Sequence, residues 1–78
     1  MQLPMVNATI EYGDNNSLTK SFPDGTTFAQ VLADAAVKAV LGFGDNVEGV
    51  VDGVVQPGAN RIDDGDVILV QVKANTKA

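Results

Sequence analysis

Val67-Ile68-Leu69-Val70-Gln71-Val72, entered through the acidic glycine turn Asp63-Asp64-Gly65-Asp66, is the most apolar β-type stretch in this chain. β-Branched residues are dense in it and turn formers precede it, which are the marks of a buried strand. A strand this apolar needs cover from the rest of the chain. It is therefore expected to be the last and most central strand of a small mixed sheet.

The upstream sequence supplies the elements that can cover it. Val6-Asn7-Ala8-Thr9-Ile10-Glu11-Tyr12 alternates apolar and polar at period two, with Val6, Ala8, Ile10 and Tyr12 on the core phase. Gly13–Ser17 is dense in turn formers, and Leu18–Phe22 resumes as the second strand of a hairpin. Lys20 shares the phase of Leu18 and Phe22, which fits an edge strand from which a lysine can reach water. Pro23-Asp24-Gly25 ends the strand, and Thr26 or Thr27 is a helix N-cap.

From Phe28 to Leu41 the period is helical, without Gly or Pro, and Gly42 stands just past the end. One helix over this stretch would carry Phe28, Val31, Leu32, Ala35 and Ala39 on its core stripe. Gln30, Asp34 and Lys38 would lie opposite, with Asp34 facing Lys38 at i, i+4. Ala29, Ala33, Ala36, Val37 and Val40 extend the apolar surface along one flank. Phe43 is placed as a plug under the sheet end. Val47–Val51 and Val54-Val55 form a hairpin across the two-residue turn Asp52-Gly53, and Ile62 drops into the core before the acidic turn. Residues 73–78 read as a short polar tail to a single domain covering 1–78. Hairpin, helix, hairpin and long last strand, in that order, point to an α+β roll with the helix packed across one face.

Composition narrows function by exclusion. With no cysteine and no histidine, the chain lacks a thiol nucleophile, the commonest general base and the commonest transition-metal ligands. Ten acidic residues against five basic ones, net −5, disfavour a surface that tracks nucleic-acid phosphates and favour solubility, or docking on a basic protein patch. No window approaches the ~20 apolar residues of a membrane span. The spacing of Asp63, Asp64 and Asp66 does not fit a calcium loop, so these residues read as a tight turn. The scattered glycines form no phosphate-binding fingerprint, and Ser17 and Ser21 have no histidine to activate them. No catalytic residue, cofactor or metal is expected.

Three stretches together carry a family resemblance. They are Phe22-Pro23-Asp24-Gly25-Thr26-Thr27-Phe28-Ala29-Gln30-Val31-Leu32, the hairpin Val51-Asp52-Gly53-Val54-Val55, and Ile62-Asp63-Asp64-Gly65-Asp66-Val67-Ile68-Leu69-Val70. In this order and spacing they resemble the ubiquitin-like β-grasp fold over nearly the whole chain, and within it the small sulfur carriers of thiamine and molybdopterin synthesis. The resemblance implies a mixed sheet of four to five strands with one helix across one face. Sulfur carriers end in a reactive Gly-Gly, whereas this chain ends Val72-Lys73-Ala74-Asn75-Thr76-Lys77-Ala78 and contains no Gly-Gly. The tail chemistry of those relatives is therefore expected to be absent.

The resemblance also sets the phase of the strands. It implies that Ile68, Val70 and Val72 point to the helix, as do Val47, Gly49 and Val51. Val67, Leu69, Gln71, Glu48 and Val50 then point to the open face of the sheet, bordered by Thr9 and Glu11. Aliphatic residues clustered on an open sheet face need a reason, because such a face is normally polar. Val50, Val67, Leu69, Gln71, Thr9, Glu11 and Glu48 are accordingly the expected partner-binding residues. The expected function is a non-catalytic binding module, or an accessory subunit of a larger assembly such as a phage particle, engaging a larger protein. It would act in the cytoplasm, or in the virion if viral. No nucleic-acid or membrane partner is expected, and a homo-oligomer stays open. The alternatives are a divergent sulfur carrier or ubiquitin-like modifier, and a regulatory β-grasp domain binding a ligand or RNA.

Overall fold

A computed structural model describes residues 4–73. Its elements are β1 (Met5–Glu11), β2 (Ser17–Pro23), α1 (Phe28–Ala33), α2 (Ala35–Leu41), β3 (Val47–Val51), β4 (Val54–Gln56) and β5 (Asp66–Val72). One five-stranded sheet runs in the order β2-β1-β5-β3-β4, so the apolar last strand is the central one. It lies parallel to β1 and antiparallel to β3, while β1–β2 and β3–β4 are antiparallel hairpins. Residues 74–78, most of the expected tail, lie outside the described residues.

The expected core assembles between the sheet and the helices. Val6, Ala8, Ile10, Phe22, Phe28, Val31, Val47, Ile62, Ile68 and Val70 are all buried in one cluster, against which Tyr12 and Leu18 pack. Phe43 is buried as well, with its ring 5.5 Å from that of Tyr12 in an edge-to-face contact. Val72 departs from expectation. It has the inward phase but is 59% exposed, at the end of β5 and beyond its last pair with β1, Glu11↔Leu69.

The helical region corrects the sequence reading most clearly: it forms two helices, not one. Asp34 has extended backbone, φ −65° and ψ 122°, and is both the C-cap of α1 and the N-cap of α2. Its Oδ1 accepts from the backbone N–H of Ala36 and Val37, satisfying donors that the start of a helix leaves free. The break resets the phase. In one continuous helix Val37 would sit about 120° around the axis from Val31, at about 100° per residue. Here Val37 is fully buried and Leu41 joins it, while Ala35 and Ala39 of the expected stripe are exposed. Asp34 does not pair with Lys38 either. It takes Lys20 of β2, at 2.8 Å, and Lys38 turns to Asp45.

Both ends of the helical region are held by specific contacts. Thr27 caps α1 in a reciprocal box with Gln30. The loop after β4 satisfies the next two donors, since the N–H of Phe28 and of Ala29 donate to the carbonyls of Asn60 and Gly58. At the far end the side-chain amide of Asn16, in the β1–β2 loop, donates to the carbonyl of Leu41. The β3–β4 hairpin closes through Asp52 and Gly53, with φ of 53° and 79°. Positive φ at both positions is the primed turn expected of an Asp-Gly pair.

Candidate functional site

The helices cover one face of the sheet, and the alternation of each strand decides what stands on the other. Register places the open face directly. Val67 and Leu69 of β5 lie beside Thr9 and Glu11 of β1, and Leu69 and Gln71 lie opposite Val50 and Glu48 of β3. All seven residues singled out from the sequence therefore share this face. Val67 is 50% exposed and Leu69 42%. The face also includes Asn7, Ser17, Thr19 and Ser21 on the β1–β2 side, through the pairs Asn7↔Ser21, Thr9↔Thr19 and Glu11↔Ser17.

Val50 differs from its neighbours. It points away from the core cluster, yet only 8% of it is exposed. Its cross-strand neighbours, Leu69 on one side and Val55 on the other, shield it. Val55, 48% exposed, was missed in the sequence reading. A two-residue turn at Asp52-Gly53 obliges Val51 to pair with Val54 and Val50 with Val55, so the turn was the signal that could have found it.

The face thus has two halves. Over β2 and β1 it is a hydroxyl and amide surface, with Thr9 hydrogen-bonded to Thr19 at 3.0 Å and Ser21 donating to Asn7. Over β5, β3 and β4 it is aliphatic, with Val67, Leu69, Val50 and Val55. Gln71 donates to Glu48 at the edge of the aliphatic half, fixing that carboxylate beside Val50.

Elsewhere several titratable groups are engaged in structure. Two carboxylates of the acidic turn meet backbone donors: Asp64 accepts from the N–H of Asn7 at 2.8 Å, and Asp66 from that of Asp63 at 2.8 Å. No group of three or more His, Cys, Asp or Glu residues able to hold a metal ion occurs among the described residues. Hydrogen bonding from the Lys20 ammonium, aided by the N–H groups of Val37 and Ala36, holds the Asp34 carboxyl below its ordinary range against the opposing effect of burial. The Lys38 ammonium does the same for exposed Asp45. A concavity of about 540 Å³ lies between α1, β3 and the loop after β4, floored by Phe28, Leu32 and Gly49. Its rim carries the Lys38–Asp45 pair, Glu48 and Lys73, and no hydroxyl or thiol nucleophile lines it. No helix among the described residues is long and apolar enough to cross a membrane.

No family model matches the chain, and no curated protein matches it. Solved structures do. A protein designed de novo on the basis of ubiquitin superposes with a TM-score of 0.72 at 11% identity, over 95% of each chain. The ubiquitin of Caldiarchaeum subterraneum gives 0.70 at 15% identity, over 91% of this chain and 96% of its own. The ubiquitin-like domain of an Arabidopsis thaliana protein gives 0.68 at 13%, over 97% and 85%.

The fold is ubiquitin-like. At such identities the likeness carries architecture alone, a mixed five-stranded sheet with two helices packed across it. What the ubiquitin-like chain does must be argued from its own surfaces.

Proposed function

We propose that this chain is a non-catalytic protein-binding module, either free-standing or as an accessory subunit of a larger assembly, that docks through the open face of its sheet. The observation that carries this reading is the aliphatic half of that face. Val67, Leu69 and Val55 are each close to half exposed around shielded Val50, on a surface that antiparallel sheets normally keep polar. The aliphatic half is also preorganised. Its residues come from three hydrogen-bonded strands, and β-branched side chains have few rotamers to lose on binding. Ubiquitin-like domains commonly serve as interaction modules, which agrees with this use of the face.

Affinity capture from the native source with the wild-type chain and with Leu69→Asp/Val67→Lys tests the reading. Both substituted positions are exposed, so circular dichroism should show the helix and strand signal unchanged. A partner retained by the wild type and lost by the variant is the expected result. A partner retained equally by both would place the docking surface elsewhere.

A further inference from the structure

Aspartate is followed by glycine three times in the chain, at Asp24-Gly25, Asp52-Gly53 and Asp64-Gly65. All three pairs are exposed and each glycine has positive φ, so neither dipeptide nor exposure distinguishes the three sites. The pair carries its own chemistry. The glycine nitrogen, unshielded by any side chain, can add to the aspartate Cγ, and its proton leaves with the carboxyl OH as water. Water then opens the resulting five-membered imide at either carbonyl. One opening restores aspartate; the other gives isoaspartate, whose main chain runs through Cβ and Cγ. Water is both the leaving group and the reagent, so nothing else is consumed.

Ring closure requires the Asp–Gly peptide to rotate until its nitrogen meets Cγ, which a turn held in place resists. In a folded chain the reaction therefore follows local opening, and the three turns differ in what opening breaks. Asp64 is held at both reacting groups. Its carboxylate accepts from the Asn7 N–H and the Gly65 N–H donates to the Asn7 carbonyl, each at 2.8 Å. Freeing it parts β1 from the entry to central β5. At Asp24 the backbone N–H donates to the Pro4 carbonyl, and the Thr26 N–H and hydroxyl both close on the Pro23 carbonyl. Between Val51 and Val54, by contrast, no hydrogen bond among the described residues restrains the Asp52 carboxylate or the Gly53 N–H. Freeing that turn disturbs only β4, three residues long at the edge of the sheet.

We propose that Asp52-Gly53 is a site of spontaneous isoaspartate formation, converting ahead of Asp24-Gly25, with Asp64-Gly65 protected by the fold. The product lengthens a two-residue turn whose size sets the register of β4. An added main-chain carbon there takes the pairs Val51↔Val54 and Val50↔Val55 out of alignment. Val50 then loses the cover of Val55, and one side of the aliphatic patch is dismantled with time. The chemistry rests on the turn alone and stands whether or not that face binds a partner.

Ageing the 78-residue chain at 37 °C, natively and in guanidinium chloride, tests the assignment. Peptide mapping with electron-transfer fragmentation, which distinguishes isoaspartate from aspartate, follows each site. In the native chain isoaspartate is expected at Asp52 about tenfold faster than at Asp64, with Asp24 between them. In guanidinium the three rates should converge to within about twofold, because all are Asp-Gly pairs in an open chain. Amide protection of the native chain should be lower at Val54 than at Gly65, and the aged fraction should show shifted amides at Val50 and Val55. Native rates that are equal, or led by Asp24 or Asp64, would overturn the proposal. So would a lead of Asp52 that persists unchanged in guanidinium, since sequence and not fold would then set it. Protection at Val54 equal to that at Gly65 would overturn it as well, by removing the selective opening on which it depends.

Discussion

Lys20 and Asp34, fourteen residues apart, form a 2.8 Å ion pair that ties edge strand β2 to the junction of the two helices. Lys20 extends over the Phe22 ring, 5.3 Å from its centre, to reach the carboxylate. One oxygen of Asp34 takes the ammonium and the other caps α2. Alanine at this position is the better helix former and would favour fusing α1 with α2. Fusion would rotate Val37 out of the core, so that propensity works against the fold. Asp34→Ala is expected to lower stability by about 1–2 kcal/mol, in the range of a lost N-cap, and Asp34→Asn by less because it still caps. Urea unfolding of the three proteins measures the difference.

The same residue fixes the direction of one acid sensitivity. The folded state holds the Asp34 carboxyl below its ordinary value, chiefly through the Lys20 hydrogen bond. The stabilisation is therefore fully present above the unfolded value of about 3.9 and fades as pH falls through the lower folded value. Wild type should exceed Asp34→Asn in stability at pH 7, and the gap should narrow below about pH 4. Unfolding midpoints across pH 2–7 give the two curves. A gap that stays constant throughout would mean the charge of Asp34 contributes nothing.

The acidic turn supports a finer discrimination among adjacent carboxylates. The side chains of Asp64 and Asp66 accept backbone N–H groups, while Asp63 takes part through its backbone, its N–H donating to the Asp66 carboxylate and its carbonyl accepting from the Asp66 N–H. Asp64→Ala and Asp66→Ala should each cost about 0.5–1.5 kcal/mol, the ordinary worth of such bonds, and Asp63→Ala should be near neutral. Millimolar calcium should leave the melting temperature of the wild type unchanged. A rise of several degrees would return the turn to consideration as a cation site.

Period-two alternation placed β1 and β2, and the apolar run placed β5, to within a residue or two; the phase that puts all seven candidate face residues on one side came from the resemblance to the ubiquitin-like fold. That pattern survives because one side of a strand is buried and a one-residue slip would exchange the faces. The helical stretch was legible only in part. Its composition marks a helix from Phe28 to Leu41, but the break at Asp34 comes from Lys20, fourteen residues away, and from a cap that competes with helix continuation. No local pattern contains that partner. Val55 was overlooked for a different reason. Strand propensity did not distinguish it from Val54, and only pairing back through the Asp52-Gly53 turn puts it next to Val50.

Gly49 offers a test of how closely the helices press on the sheet. It is buried in β3, a position where glycine ordinarily weakens a strand. A methyl group there would meet Ile68 Cγ2 at 3.0 Å, Phe28 Cδ1 at 3.5 Å and Leu32 Cδ1 at 3.9 Å. Ile68 is fully buried in the central strand, so its Cγ2 has little room to yield, whereas the contacts with Phe28 and Leu32 are at ordinary van der Waals distance. Gly49→Ala should therefore destabilise by about 1–3 kcal/mol, the range for overpacking, despite the better strand propensity of alanine. If the α1–β3 spacing were looser, the same substitution would stabilise by a few tenths of a kcal/mol through the unfolded chain. The sign of the change in unfolding free energy decides between the two. Combining Gly49→Ala with Ile68→Leu, which lacks the crowding Cγ2 methyl, should recover part of the loss if the crowding is real.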